Sequence, residues 1–322
     1  MRNFRQHRKR KSGTFGRGGQ STFCPNRVKP MQGILIVDKP AGFTSFDVVA
    51  KLRGICDTRK IGHSGTLDPM ATGVLPVFIG NAAKAVDLQS RHDKIYEATM
   101  LLGTRTDTGD VTGTAVETLP VPAQIDEQAV RDVLWHFLGN SEQLPPMYSA
   151  VKVNGQALYK AARKGKIVER TPRPIVVHAI SVLAQSAKNE FTLRIHCGKG
   201  TYVRVLLEDI GRALGTCATM SALRRTMACG YTLDHAVDFP TLQAAKENGT
   251  LPSLLQSVET VFTALPSLTV DDATAQRLLN GAITYRFYEK DGRYRVRSKE
   301  EFLGLAQVQN AELRAEKLFV ER

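Results

Sequence analysis

The sequence has 322 residues, few cysteines, and no acidic residue in its first thirty positions. Cys24, Cys56, Cys197, Cys217 and Cys229 stand far apart, are odd in number and form no C-x-x-C pair. That excludes a disulfide scaffold and points to a reducing compartment, the cytoplasm. No H-E-x-x-H and no other His/Cys cluster has zinc spacing, so no metal is expected. The chain also lacks G-x-x-x-x-G-K-[ST], G-x-G-x-x-G after a strand, and G-x-S-x-G. This argues against nucleotide-driven, dinucleotide-dependent and serine-hydrolase chemistry. No apolar run approaches the roughly 18 residues of a membrane span. No apolar segment follows the basic N-terminus, as a signal peptide would require.

What is present is an uneven charge. The net is +13, from 44 Lys and Arg against 31 Asp and Glu. Nine of the basic residues fall in residues 1–30 (Arg2, Arg5, Arg8, Lys9, Arg10, Lys11, Arg17, Arg27 and Lys29), which leaves a mildly basic body. A basic arm with Gly and Ser and few apolar residues reads as disordered. It suits a tether to a polyanion such as nucleic acid. A solvated tail, or a start at Met31 instead of Met1, explains the same composition.

The body alternates element types. Gly33–Val37 is a short apolar strand ended by Asp38-Lys39-Pro40. Thr44 or Ser45 then caps a helix with Phe46, Val49, Leu52 and Ile55 on its inner face. Gly62–Pro69 reads as loop, Val74–Ile79 as a buried strand, Ala82–Gln89 as a short helix, and Tyr96–Leu102 as a strand. A turn-rich loop over Gly103–Gly113 precedes a helix over Ile125–Leu138. Phe191, Leu193 and Ile195 alternate with Thr192, Arg194 and His196, the pattern of a half-buried strand. Val203, Leu206, Leu207, Ile210 and Leu214 form one face of an amphipathic helix. Strands and helices without regular βαβ phasing predict an α+β body. Short strands at Arg293–Arg297 and Phe302–Ala306 predict a small β module after a boundary near residue 250.

One loop stands out chemically. Gly62-His63-Ser64-Gly65-Thr66-Leu67-Asp68-Pro69 runs into Ala71-Thr72-Gly73-Val74-Leu75. Its glycines and proline dictate an unusual path, and Pro69 biases Asp68 away from helical torsions. The loop thus holds a carboxylate at the rim of an apolar strand. On composition alone, a turn aspartate bonding its own backbone is the commoner arrangement.

This segment resembles the catalytic loop of the bacterial tRNA pseudouridine synthase B (TruB) family. Five more segments resemble that family in the same order. They are Gly33–Pro40 with Gly42–Ser45, Lys94–Ala98 running to Thr106–Asp110, Pro145–Lys152, Gly198–Arg204, and Leu223-Arg224-Arg225. The resemblance implies a pseudouridine synthase fold: a mixed, largely antiparallel sheet flanked by helices, over residues 31–250. It implies a PUA-like β-barrel RNA-binding module over 251–322, behind the arm of residues 1–30. The implied reaction converts one uridine of the tRNA TΨC loop (position 55) to pseudouridine, without cofactor. The T stem-loop is the implied partner. A cytoplasmic monomer, with no membrane attachment and no obligate protein partner, is expected.

Carried over by position, the resemblance makes Asp68 the nucleophile and Arg204 the cation that pairs with it and lowers its pKa. Tyr96, in the catalytic group, and Tyr202 would face the target uracil, and Leu223 would line its pocket. His63 would occupy the space a flipped base leaves. Lys39, Lys152, Arg224 and Arg225 are candidate phosphate contacts by charge. Met70 stands where leucine is commoner in the family, a volume-conserving change.

Overall fold

A computed structural model of the protein describes residues 31–89, 92–153 and 155–320. The basic arm and Cys24 lie outside the described residues. The other four cysteines are buried and free.

The first half builds β1 (Gly33–Lys39), α1 (Ser45–Ile55), β2 (Ile61–His63), β3 (Thr72–Ile79) and β4 (Lys94–Leu102). A small hairpin, β5 (Thr104–Thr106) with β6 (Ala115–Thr118), leads to α2 (Glu127–Leu134) and β7 (Gly139–Gln143). The pair β8 (Lys152–Val153) and β9 (Gln156–Ala157) precedes α3 (Leu158–Ala162). Then come β10 (Arg173–Ala187), β11 (Glu190–Cys197), α4 (Val203–Ala213), β12 (Ala218–Ala228) and β13 (Tyr231–Thr232). The predicted helix over Ala82–Gln89 is a run of 3₁₀ turns over Gly80–Leu88.

The main sheet runs β1-β3-β12-β4-β11-β10-β7, with β2 beside β3 and β13 beside β12. Its pairings are antiparallel except β3 with β12, which run parallel through Arg224 opposite Thr72 and Arg225 opposite Gly73. That junction needs glycine. Gly73 has φ +101°, and a Cβ there would stand 2.2 Å from the Arg225 carbonyl oxygen. The fold is α+β with a mixed, largely antiparallel central sheet.

Helix α1 starts where its capping chemistry predicts. The Thr44 hydroxyl accepts from the Asp47 amide (3.1 Å), and the Asp47 carboxylate accepts from the Thr44 amide (2.9 Å). This reciprocal box satisfies two amides that the first helical turn leaves free. One residue of the predicted inner face is wrong: Phe46 is 64% exposed, and Val48 packs inward with Val49, Leu52 and Ile55. The other three predicted residues are buried; Phe46 was included because any large apolar residue at helical spacing counts alike in sequence. Helix α4 buries Val203, Leu206, Leu207 and Ile210 against β4, β11 and β12. Each fully buried aliphatic side chain contributes about 1.5–3 kcal/mol. On β11, Phe191, Leu193 and Ile195 are fully buried between more exposed neighbours, as the alternation predicts.

The C-terminal part contains α5 (Phe239–Glu247), β14 (Ser267–Thr269), α6 (Asp272–Leu279), β15 (Thr284–Tyr285), β16 (Gly292–Arg297), β17 (Phe302–Gln309) and β18 (Glu312–Leu318). The last five strands form a second, curled sheet in the order β14-β16-β17-β18-β15. The two sheets share a core. Phe262, Phe302 and Phe319 stack at 5.6–6.3 Å between ring centres, in one cluster with Ile34 and Phe78. Ile34 and Gln256 also exchange two backbone hydrogen bonds of 2.8 Å.

Candidate active site

The loop after β2 crosses the C-terminal end of β1 and the start of α1. Buried polar side chains hold it. Ser45 Oγ accepts from the Leu67 amide (2.9 Å), and Lys39 Nζ donates to the carbonyls of Pro40 (2.9 Å), Phe43 (2.6 Å) and Pro69 (3.2 Å). From β12, Arg225 donates to the Gly65 (2.9 Å) and Val74 (2.7 Å) carbonyls. The Ala71 amide closes a turn on the Asp68 carbonyl (3.1 Å). Asp68 therefore projects from a backbone fixed on three sides.

Arg204, in the first turn of α4, meets it. Arg204 Nη2 donates to Asp68 Oδ1 (3.3 Å), and Nε stands 2.9 Å from Oδ2. The guanidinium also donates to the Thr108 carbonyl (2.5 Å) and the Tyr148 carbonyl (2.8 Å). Only 5% of the arginine side chain is exposed, against 32% for Asp68. The Thr108 turn is in turn knotted by Asp110, whose carboxylate accepts from Thr108 Oγ1 and the Thr112 amide, both at 3.0 Å. The Thr-Asp-Thr-Gly-Asp loop thus presents a carbonyl to the cation.

A cavity of about 300 Å³ opens beside the carboxylate. Asp68, Arg204, Tyr96, Tyr202 and Leu223 all line it. Tyr96 and Leu223 come from neighbouring strands, where Leu223 faces Ala98 and Arg225 faces Tyr96 across the ladder. Tyr202 precedes α4. Its amide donates to Gln143 Oε1 (2.7 Å), and Gln143 Nε2 donates back to its carbonyl (3.1 Å). Burial pushes the Tyr96 phenol above its ordinary pKa.

Three expectations are corrected. Arg204 does pull the Asp68 pKa down, but burial outweighs it, and Asp110 adds to the upward push. The carboxyl lies above its ordinary range, not below it. Lys39 is not a surface phosphate contact: it is 0% exposed, its ammonium is committed to three carbonyls, and burial lowers it to about 8. Arg225 is buried in the same way, and Arg224 is paired with Asp38 (2.8 Å), while Lys152 is exposed. His63 is not in a loop. It ends β2 opposite Val77, partly buried, and is not among the residues lining the cavity. Burial lowers its pKa, with Arg225 adding to the effect.

Tyr148, Gln143 and Thr108 were missed as positioning groups, as were Lys94 and Lys199, which line the cavity. Tyr148 and Thr108 lie inside the family-like segments. What they contribute is a backbone carbonyl, which no residue type announces.

Two family descriptions match the chain. The TruB family pseudouridylate synthase N-terminal domain covers residues 53–203, and the tRNA pseudouridylate synthase B C-terminal domain covers 204–263. The tRNA pseudouridine synthase B of Burkholderia lata is 40% identical over 302 residues, covering 92% of each chain. That of Bacillus licheniformis is 43% identical over 255 residues, covering 78% of this chain and 82% of its own. Among solved structures, a Cbf5–Nop10–Gar1 complex contains a chain that superposes with TM-score 0.67 at 26% identity, covering 90% of this chain and 85% of that one. An H/ACA RNP bound to a substrate RNA shares the fold, with TM-score 0.66 at 24% identity. Identity at this level across nearly the whole of both sequences is decisive: the chain belongs to the TruB family of pseudouridylate synthases.

Proposed function

We propose that this chain isomerises uridine to pseudouridine at position 55 in the TΨC loop of tRNA, with Asp68 as nucleophile and without a cofactor. The observation that carries the reading is the Asp68–Arg204 pair at the wall of a cavity flanked by Tyr96, Tyr202 and Leu223. A base must leave its stack to enter such a cavity, at a cost of a few kcal/mol. Tyrosine faces offset that cost by stacking, worth about 1–3 kcal/mol per base in single-strand binders. Asp68 in its ionised form attacks and splits one difficult step into two. The C–N glycosidic bond breaks, the uracil turns, and its C5 bonds to the same sugar carbon. The C5 hydrogen leaves as a proton and N1 gains one, so the reaction is balanced without redox partner or leaving group.

In this reading Arg204 orients Asp68 and favours its ionised form against the cost of burial. Lys39 and Arg225 act through the loop backbone as positioning residues. His63 supports the RNA stack from the end of β2. Residues 31–250 form the catalytic domain, and 251–322 form an RNA-binding module of PUA type. The basic arm of residues 1–30 adds phosphate attraction. No helix among the described residues is long and apolar enough to cross a membrane. We place the chain in the cytoplasm, acting as a monomer without obligate protein partner.

The test is release of tritium from tRNA labelled at uracil C5, by the purified chain alone. Wild type releases tritium to water. Asp68→Asn abolishes release while tRNA affinity stays within about tenfold, because the nucleophilic charge is lost while the side chain keeps its size. Full activity in Asp68→Asn would sink the assignment. No release by wild type despite tight binding would transfer the reading to an enzyme that needs partner proteins.

A further inference from the structure

Away from Asp68, three donors converge at the edge where β4, β10 and β11 meet. His178 Nε2 stands 3.6 Å from Asp93 Oδ1, and His196 Nε2 stands 3.8 Å from Asp93 Oδ2. One donor atom from each residue lies within 4.8 Å of the others. The imidazole rings are 4.7 Å apart and tilted. Both separations are too long for hydrogen bonds. Donors bound at about 2.0–2.2 Å to a tetrahedral ion stand roughly 3.3–3.6 Å apart, so the His178–Asp93 pair at 3.6 Å already has that spacing and the other donors, within 4.8 Å, would draw in around an ion.

The backbone arranges this deliberately. The β10–β11 register pairs Val177 with Cys197 and Ala179 with His196, so His178 is the extra residue of a β-bulge. A bulge re-aims a side chain out of the regular alternation. His196 Nε2 is shielded from solvent and has no hydrogen-bond partner, and it points towards the Asp93 carboxylate. A bound cation would satisfy it.

We infer that Asp93, His178 and His196 form a site for a divalent transition metal of the zinc class, with two imidazoles and one carboxylate as ligands. Imidazole nitrogen suits zinc, copper and nickel better than the hard cations that prefer oxygen. Asp93 precedes β4, whose first residue, Lys94, lines the Asp68 cavity. His196 lies just before the Lys199–Tyr202 segment, which also lines it. The ion would therefore link two segments that contribute to the cavity lining. It takes no part in the chemistry proposed for Asp68.

The test is titration of the tag-free full chain with Co²⁺, followed by its visible absorption and by displacement with Zn²⁺. Beside it stand His178→Ala, His196→Ala and Asp93→Asn. One saturable equivalent is expected, displaced by Zn²⁺, and weakened about tenfold or more in each variant. Zn²⁺ is expected to raise the melting temperature of wild type, and not of a folded variant, by binding the native state. Absence of saturable uptake by folded wild type overturns the site. So does uptake that is unchanged in the variants, which would locate the ion elsewhere in the chain.

Discussion

Arg204 offers the sharpest test of the site, because two substitutions separate its charge from its shape. Its guanidinium serves Asp68, the Thr108 carbonyl and the Tyr148 carbonyl at once. Arg204→Met strands both carbonyls, and leaving a buried acceptor unmet costs about 1–3 kcal/mol each. The carboxylate also loses its partner, though one-third exposure lets water restore part of that contact. A stability loss of about 3–5 kcal/mol is expected, the range for removing one member of a buried ion pair. Arg204→Lys keeps the positive charge, but a compact ammonium lacks the planar fork that reaches the carboxylate and the two carbonyls from separate nitrogens, so roughly half that loss remains. The kinetic consequence has a definite sign. Burial already lifts the Asp68 pKa, and Arg204 is the strongest influence pulling it down. Attack requires the ionised form, so activity rises with pH through the Asp68 pKa. Weakening the cation moves that acid limb to higher pH, least in wild type, further in Arg204→Lys and furthest in Arg204→Met. Single-turnover tritium release across pH, with urea unfolding of the same proteins, measures both quantities. An acid limb that does not move in Arg204→Met refutes the electrostatic argument. A stability loss below about 1 kcal/mol refutes the packing one.

Three other outcomes are expected. Deleting residues 1–30 removes nine basic residues and should weaken tRNA binding more at low salt than at high salt, with a shallower salt slope; an unchanged slope would take the arm off the RNA. His63→Ala should slow modification of folded tRNA more than that of an isolated stem-loop, since only a stacked loop has to be opened; equal losses would remove this role. Lys39 gives up its proton near pH 8 in the folded chain and near 10.5 in the unfolded one, so the unfolded state binds more protons between those values. Stability contributed at this position therefore rises with pH across that window, and the stability of wild type minus that of Lys39→Met, followed by urea unfolding from pH 7 to 10.5, should climb. A flat difference would mean that the ammonium is better solvated than its carbonyl cage implies.

Local patterns in the sequence carry much of this architecture. The Thr44 cap, the alternation on β11 and the face of α4 each depend on residues a few positions apart, and each appears as read. Phe46 shows the limit of that reading, since helical spacing counts any large apolar residue as facing inward, and at the helix start small Ser45 is the buried residue instead. The parallel contact of β3 with β12 was invisible, because it joins residues 150 positions apart through two register pairs and a glycine. Charge misled most. Lys39 and Arg225 look like surface residues because such side chains are rarely buried. Here they donate to main-chain carbonyls in and beside the Asp68 loop, and those acceptors carry no sequence signature. The Asp93, His178 and His196 cluster escaped for a related reason: its ligands belong to three separate segments, and a bulge turns one of them into place.

The loop that carries Asp68 packs Leu67 and Ala71 into the apolar core and is also tied by cations to main-chain oxygens, and this second device has a mechanical consequence. Arg225 bonds the Gly65 and Val74 carbonyls on opposite stretches of the loop, and Lys39 ties the Pro69 carbonyl to those of Pro40 and Phe43, so directed hydrogen bonds help to set the path of residues 65–74. Such bonds are directional and short, and inside the protein they are stronger than in water. They resist the displacement that a large ligand such as tRNA imposes on a surface loop. Lys39, together with Arg204, also compensates the carboxylate. Burial raises the cost of the Asp68 charge, Arg204 and Lys39 lower it, and the balance leaves a carboxyl less acidic than usual. A base entering the cavity expels more water and raises that cost again, while strengthening every remaining contact with Arg204. In the mechanism proposed for Asp68, its ionised form is then poorly solvated, and forming a bond to the substrate relieves that cost.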